Sequence, residues 1–162
     1  MSRLFLFGVA LALFTPMHGS AQNSCPWINA ATVAGVLEAK VQTSVEEMPT
    51  KGMKCSFKGL EPSSGRSLVV EVRGITDRDK SFTEAETHCA SAATPVRGLG
   101  NEAFECGVDG DGAHGVMMVG RVRDTLFVVT VMMPVHHEQG TAGATLEDKL
   151  TIATGQVVGN LF

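Results

Sequence analysis

The sequence predicts an α+β domain: an antiparallel sheet of about five strands with three helices, in the order α-β-β-α-β-β-β-α, stapled by two disulfides. Three observations predict it. Apolar residues recur at helical spacing in some segments and alternate with polar residues in others. Glycine, 18 of 162 residues, punctuates short elements. Four widely spaced cysteines follow what reads as an export signal. Helices and antiparallel strands in that order are expected to pack with the helices on one face of the sheet.

The chain opens with the signal. Arg3 supplies a positive start, and Leu4 to Phe14 is an almost unbroken apolar run. Pro16 and the small-residue site Gly19-Ser20-Ala21 follow, so residues 1–21 are expected to be removed before Gln22. The run is too short for a stable membrane anchor. Residues 22–162 then form one domain, since nothing in them resembles a linker. Cys25, Cys55, Cys89 and Cys106 lack a Cys-x-x-Cys pair, which in an exported chain reads as two disulfides. Three connectivities are open. Cys25–Cys55 with Cys89–Cys106 is favoured, because each pair then joins a helical segment to a nearby strand.

The first helix is expected from Asn29, a good N-cap, with Ile28 and Val33 as a hydrophobic staple and Val33, Val36, Leu37 and Val41 on one face. Pro49 to Gly52 breaks the chain. Met53, Cys55 and Phe57, then Leu68, Val70 and Val72, alternate with polar or outward residues as two strands of a hairpin. Ser81-Phe82-Thr83-Glu84 fits a capping box, so the second helix is expected from Ser81 to about Ala92. Pro95 to Gly100 reads as a loop. Three strands follow: one with Phe104, Cys106 and Val108 inward, one over Val116 to Val119, and one over Leu126 to Met133. Asp109-Gly110-Asp111-Gly112 and Arg123-Asp124 make the turns. The last helix carries Leu146, Leu150, Ala153 and Val157 on one face.

Composition excludes several roles. Without residues 1–21 the chain has 12 basic against 17 acidic residues and no basic stripe, which disfavours nucleic acid and anionic lipid. A single tryptophan and no tyrosine disfavour a sugar-binding platform.

Cys25-Pro26-Trp27 leading into a capped helix, Cys55 followed by Phe57, and Pro95-Val96-Arg97-Gly98-Leu99-Gly100-Asn101-Glu102-Ala103 before a strand form a recurring pattern. It resembles small exported two-disulfide domains of the cell envelope, including uncharacterised lipoproteins and the extracytoplasmic sensor domains of bacterial serine/threonine kinases. Several of these have a PsbP-like fold. The resemblance spans Cys25 to Val158 and departs from the lipoproteins in lacking a lipid-modified cysteine. It implies fold and location and carries over no catalytic residue.

Among candidate sites, His114, Met133, His136 and His137 form a soft donor set suited to copper. A tight hairpin at Arg123-Asp124 would set His114 opposite Met133 and near His136. Against this, methionines in apolar strands usually fill core space. Asp109-Gly110-Asp111-Gly112 begins like a calcium loop but lacks the later ligands, and reads as a turn. Glu84 and His88 make a surface pair on the second helix with no His-Glu-x-x-His around them. No Gly-x-Ser-x-Gly elbow and no complete phosphate loop are present, and oxidised cysteines offer no thiolate, so no catalytic residue and no cofactor are assigned.

The expectation is therefore a non-catalytic periplasmic or secreted domain that binds another protein or a small apolar ligand. The loop Arg97, Gly98, Leu99, Gly100, Asn101 and Glu102 is a candidate part of that surface. A periplasmic copper-type protein and an unrecognised hydrolase are the alternatives.

Overall fold

The computed structural model describes residues 24–49, 51–63, 65–110, 112–135 and 145–162. Within them lie three helices and a seven-stranded antiparallel sheet, two strands more than the sequence predicts. The order is α1 (Ala30–Leu37), β1 (Val41–Met48), β2 (Gly52–Gly59), β3 (Ser67–Gly74), α2 (Arg78–Glu86), β4 (Thr94–Val96), β5 (Glu102–Gly110), β6 (Ala113–Val122), β7 (Thr125–Pro134) and α3 (Leu146–Gly159). In space the strands run β1-β2-β3-β7-β6-β5-β4.

The first added strand is β1. Val41 fits the helical count from Val33, yet α1 stops at Leu37 because Glu38 turns left-handed (φ 51°). Lys149 of α3 donates to the Glu38 carboxylate at 2.8 Å, and Arg66 lies 3.8 Å from it. The lysine hydrogen bond in particular holds that carboxyl below its usual range. Val41, Thr43 and Val45 then follow the period of a strand. The second is β4, whose last two residues, Pro95 and Val96, fall in the segment expected to be a loop, paired with Ala103 to Glu105.

The helices also differ in placement. Alternation along the strands divides the buried side chains between two faces. On one, α1 and α3 cover Cys55, Phe57, Leu68, Val70, Val116, Met118, Phe127, Val129 and Val131. This is the main core, and wholly buried Phe57 and Phe127 each stabilise it by about 2–3 kcal/mol. Leu150, Ala153 and Val157 of α3 are buried there as expected, with Leu146 half-buried. On the opposite face α2 packs over Phe104, Cys106, Met117, Val119 and Leu126. The helices therefore occupy both faces, not one.

The N-cap of α2 is Asp77, whose side chain accepts from the Lys80 amide at 3.0 Å. Ser81 lies inside the helix and donates its hydroxyl to the Asp77 carbonyl. The helix ends at Glu86, short of Ala92, because the following chain docks on β5: the Ala90 amide donates to Gly107 O, and the Gly107 amide donates to Ser91 Oγ, each at 2.8 Å.

Both favoured disulfides form, Cys25–Cys55 and Cys89–Cys106. Two disulfides fit an oxidising compartment outside the cytoplasm. No helix among the described residues is long and apolar enough to cross a membrane. The expected signal, residues 1–21, lies outside the described residues.

Candidate functional site

Helix α2 is a strap rather than a core element. Its sequence, RDKSFTEAE, buries Ala85 alone, so its place on the sheet depends on discrete ties. At its start Arg78 grips both carboxylate oxygens of Glu102 on β5, and Arg121 of β6 donates to the same carboxylate at 2.8 Å. The hydrogen bonds from Arg78 contribute most to holding the Glu102 carboxyl down at about 2, against the opposing effect of its partial burial. Midway, the ring of Phe82 meets that of Phe104 edge-on, centroids 5.8 Å apart. Past its end Cys89 is bonded to Cys106.

Beside this strap runs a groove of about 500 Å³. Glu84 and Ala85 of α2, with His88 just past its end, form one wall, Glu71 and Arg73 of β3 the other, and Val128, Thr130, Met132 and Met117 the floor. The register places Arg73 beside Leu126 and Ser67 beside Met132, so the groove extends along about six residues of strand, on the order of 20 Å. Arg73 reaches Glu84 across one end at 3.4 Å, and Lys54 reaches Glu71 at 3.2 Å.

Glycines shape the floor. A Cβ on Gly115 would stand 2.6 Å from Met132 Sδ, and one on Gly52 would stand 2.7 Å from Met48 Cε. Each methionine therefore lies flat over a glycine on the neighbouring strand, lining the groove with polarisable, rotatable thioethers. Such side chains repack around ligands of varied shape. The volume falls within the usual range for small-molecule sites, and Glu71, Arg73, Glu84, His88 and Asp109 line the groove beside the methionines and valines, so its lining is about as polar as it is apolar.

The structure separates the residues singled out in the sequence. The two-residue turn at Arg123-Asp124 does set His114 opposite Met133 across β6 and β7. Both lie on the α1–α3 face by alternation, whereas Met117 and Met132 belong to the groove face. His136 and His137 lie outside the described residues, as does Asp111 of the turn once compared with calcium loops. Among the described residues no three His, Cys, Asp or Glu side chains are grouped to hold a metal ion. Glu84 and His88, read as a surface pair, both line the groove.

The segment Arg97 to Glu102 is largely engaged in holding the fold. Gly100, at φ 73°, passes so close to β6 that a Cβ would stand 2.4 Å from Arg121 O. Asn101 Oδ1 accepts from the Arg123 amide at 2.7 Å, clamping the β6–β7 turn. Leu99 packs against the main core, and Glu102 is the anchor for Arg78. Arg97 and Gly98 remain exposed.

No family model and no curated protein matches the chain. Among solved structures, a protein titled a GTP binding regulator, from Thermotoga maritima, is similar over 85% of this chain and 93% of its own. The TM-score is 0.42 at 14% identity. A likeness this weak carries no argument about what the present protein does.

Proposed function

We propose that the protein is an exported, non-catalytic binding domain of the cell envelope that takes an elongated, mostly apolar small ligand into the groove between α2 and β3. The single observation that carries this reading is the methionine-floored groove of about 500 Å³ with charged residues at its rim. An apolar floor supplies affinity in proportion to the area removed from water, and a few polar groups at the rim set orientation. His88 and the Arg73–Glu84 pair are placed to orient a polar end of such a ligand. The groove residues form no nucleophile–base pair, and the strongly displaced carboxyl, Glu102, is committed to two arginines. That arrangement favours binding over hydrolysis.

The test is a binding titration with an apolar fluorescent probe bearing one sulfonate, compared between the native chain and Thr130→Trp. Thr130 is half-buried on the groove floor, so an indole there fills the space without entering the main core. Saturable binding lost in the variant, with the melting temperature kept, is the expected result. Equal binding by both proteins would remove the groove from the account.

One observation favours a second reading, a soft-metal site: His114 and Met133 face each other across the β6–β7 ladder. Imidazole and thioether suit copper in an oxidising compartment. Replacing His136 and His137 by alanine abolishes metal uptake if this reading holds, and unchanged uptake ends it.

A further inference from the structure

We propose that β1 is a self-association edge, along which two copies of the chain join their sheets by antiparallel β1–β1 pairing about a two-fold axis at Ser44. The two edges of the sheet are treated differently. At one, β4 is three residues long and contains Pro95, and the Ala90–Ser91 segment covers β5 beyond it. Those are the usual protections against edge pairing. At the other, β1 runs eight residues in unbroken register with β2, with no proline, lysine or bulge.

The hydrogen-bond phase says which groups β1 offers. The Leu60 amide donates to Lys40 O, and in this antiparallel register residues 40 and 60 are partners, so the even-numbered residues of β1 bond to β2. The Gly59 amide donates to Arg66 O, which independently assigns the odd-numbered residues of β2 to β3 and agrees with that phase. The amides and carbonyls of Val41, Thr43, Val45 and Glu47 therefore point away from the sheet.

One symmetric register with a second β1 pairs all four outward-pointing residues. With Ser44 opposite its own copy, Val41 faces Glu47 and Thr43 faces Val45, which aligns the outward groups of both chains in about eight backbone hydrogen bonds. The charges agree. Glu46 and Glu47 lie at one end of the strand and exposed Lys40 just before the other. In that register Glu46 is opposite Gln42 and diagonal to Lys40 of the second copy, with no like charges opposed. Val45 against Thr43 adds a β-branched cross-strand pair. This inference does not depend on the groove.

The test uses residues 22–162. Sedimentation velocity of the unaltered chain is expected to show a concentration-dependent doubling of mass. Ser44→Cys and Gln42→Cys are both exposed, conservative changes. Ser44 meets its own copy within disulfide reach, whereas the two copies of Gln42 are about 13 Å apart along the strands. On oxidation Ser44→Cys is expected to give a covalent dimer, located by peptide mapping, with Gln42→Cys at least about tenfold less. A chain that stays monomeric at all concentrations overturns the proposal and leaves the edge for another protein's strand. So does a dimer that Ser44→Cys fails to cross-link, or equal cross-linking of the two variants.

Discussion

Replacing Cys89 and Cys106 together by alanine should loosen α2 far more than the rest of the molecule. The two residues are 17 apart, and loop closure over that length corresponds to about 3 kcal/mol. Little else compensates, because α2 buries only Ala85, and a nine-residue helix has no stability of its own in water. Among the described residues its other ties are the Arg78–Glu102 contact, the Phe82–Phe104 ring pair, the Arg73–Glu84 bridge and, past its end, the hydrogen bonds of Ala90 and Ser91 with Gly107. Hydrogen exchange read by mass spectrometry should therefore show α2 amides exchanging about a hundredfold faster, as a local opening eased by 3 kcal/mol requires. Amides of β6 and β7, in the middle of the sheet, should change less. The matching control is the Cys25–Cys55 pair, 30 residues apart, which the same relation makes about 0.5 kcal/mol stronger. It anchors the chain ahead of α1 on the main core, so its loss should leave α2 exchange nearly as it was. Unchanged α2 protection in the Cys89/Cys106 variant would refute the view of α2 as a strap held chiefly by its disulfide.

Three further outcomes follow. Glu102 has its folded-state carboxyl held at about 2 against an ordinary 4.5, so the stability it contributes is fully present above 4.5 and is lost as pH falls toward 2. Urea midpoints of native protein and Glu102→Gln should accordingly differ at neutral pH and converge through that window; a constant gap would show that the carboxylate charge is not what matters. Thr154 is wholly buried in α3 with its hydroxyl unpaired among the described residues. Thr154→Val should raise stability by about 1 kcal/mol in denaturant unfolding, and a loss of that size would mean the hydroxyl has a partner. Thr130→Trp should bind the sulfonated apolar probe at least about tenfold more weakly at unchanged melting temperature, since the indole occupies the space the ligand needs.

Local chemistry made much of the fold legible. Both disulfides pair as their neighbouring elements suggest, and the two-residue turn at Arg123-Asp124 places His114 against Met133. Spacing and capping patterns mislead where the rest of the structure decides. Val41 suits a helix by spacing, but the chain turns left-handed at Glu38, where the Glu38 and Ala39 amides close back on Ala34 and Gly35, and Lys149, 111 residues away, holds the Glu38 carboxylate. Ser81 to Glu84 satisfies a capping pattern, but Asp77 four residues earlier takes the cap, and docking of Ala90 and Ser91 on Gly107 ends the helix early. The groove was not legible because its walls come from β3 and α2 and its floor from β6 and β7. One trace of it was present in the sequence: methionines Met48 and Met132 stand opposite Gly52 and Gly115. Reading that signal requires the register first.

The most direct test of the central claim is native mass spectrometry of the oxidised protein isolated from the cells that make it, alongside Thr130→Trp prepared identically. The account predicts that the native protein retains a small organic molecule able to fit within about 500 Å³ and that the variant does not. A bare native protein, or the same adduct on both, would contradict the assignment of the α2–β3 groove as the binding site.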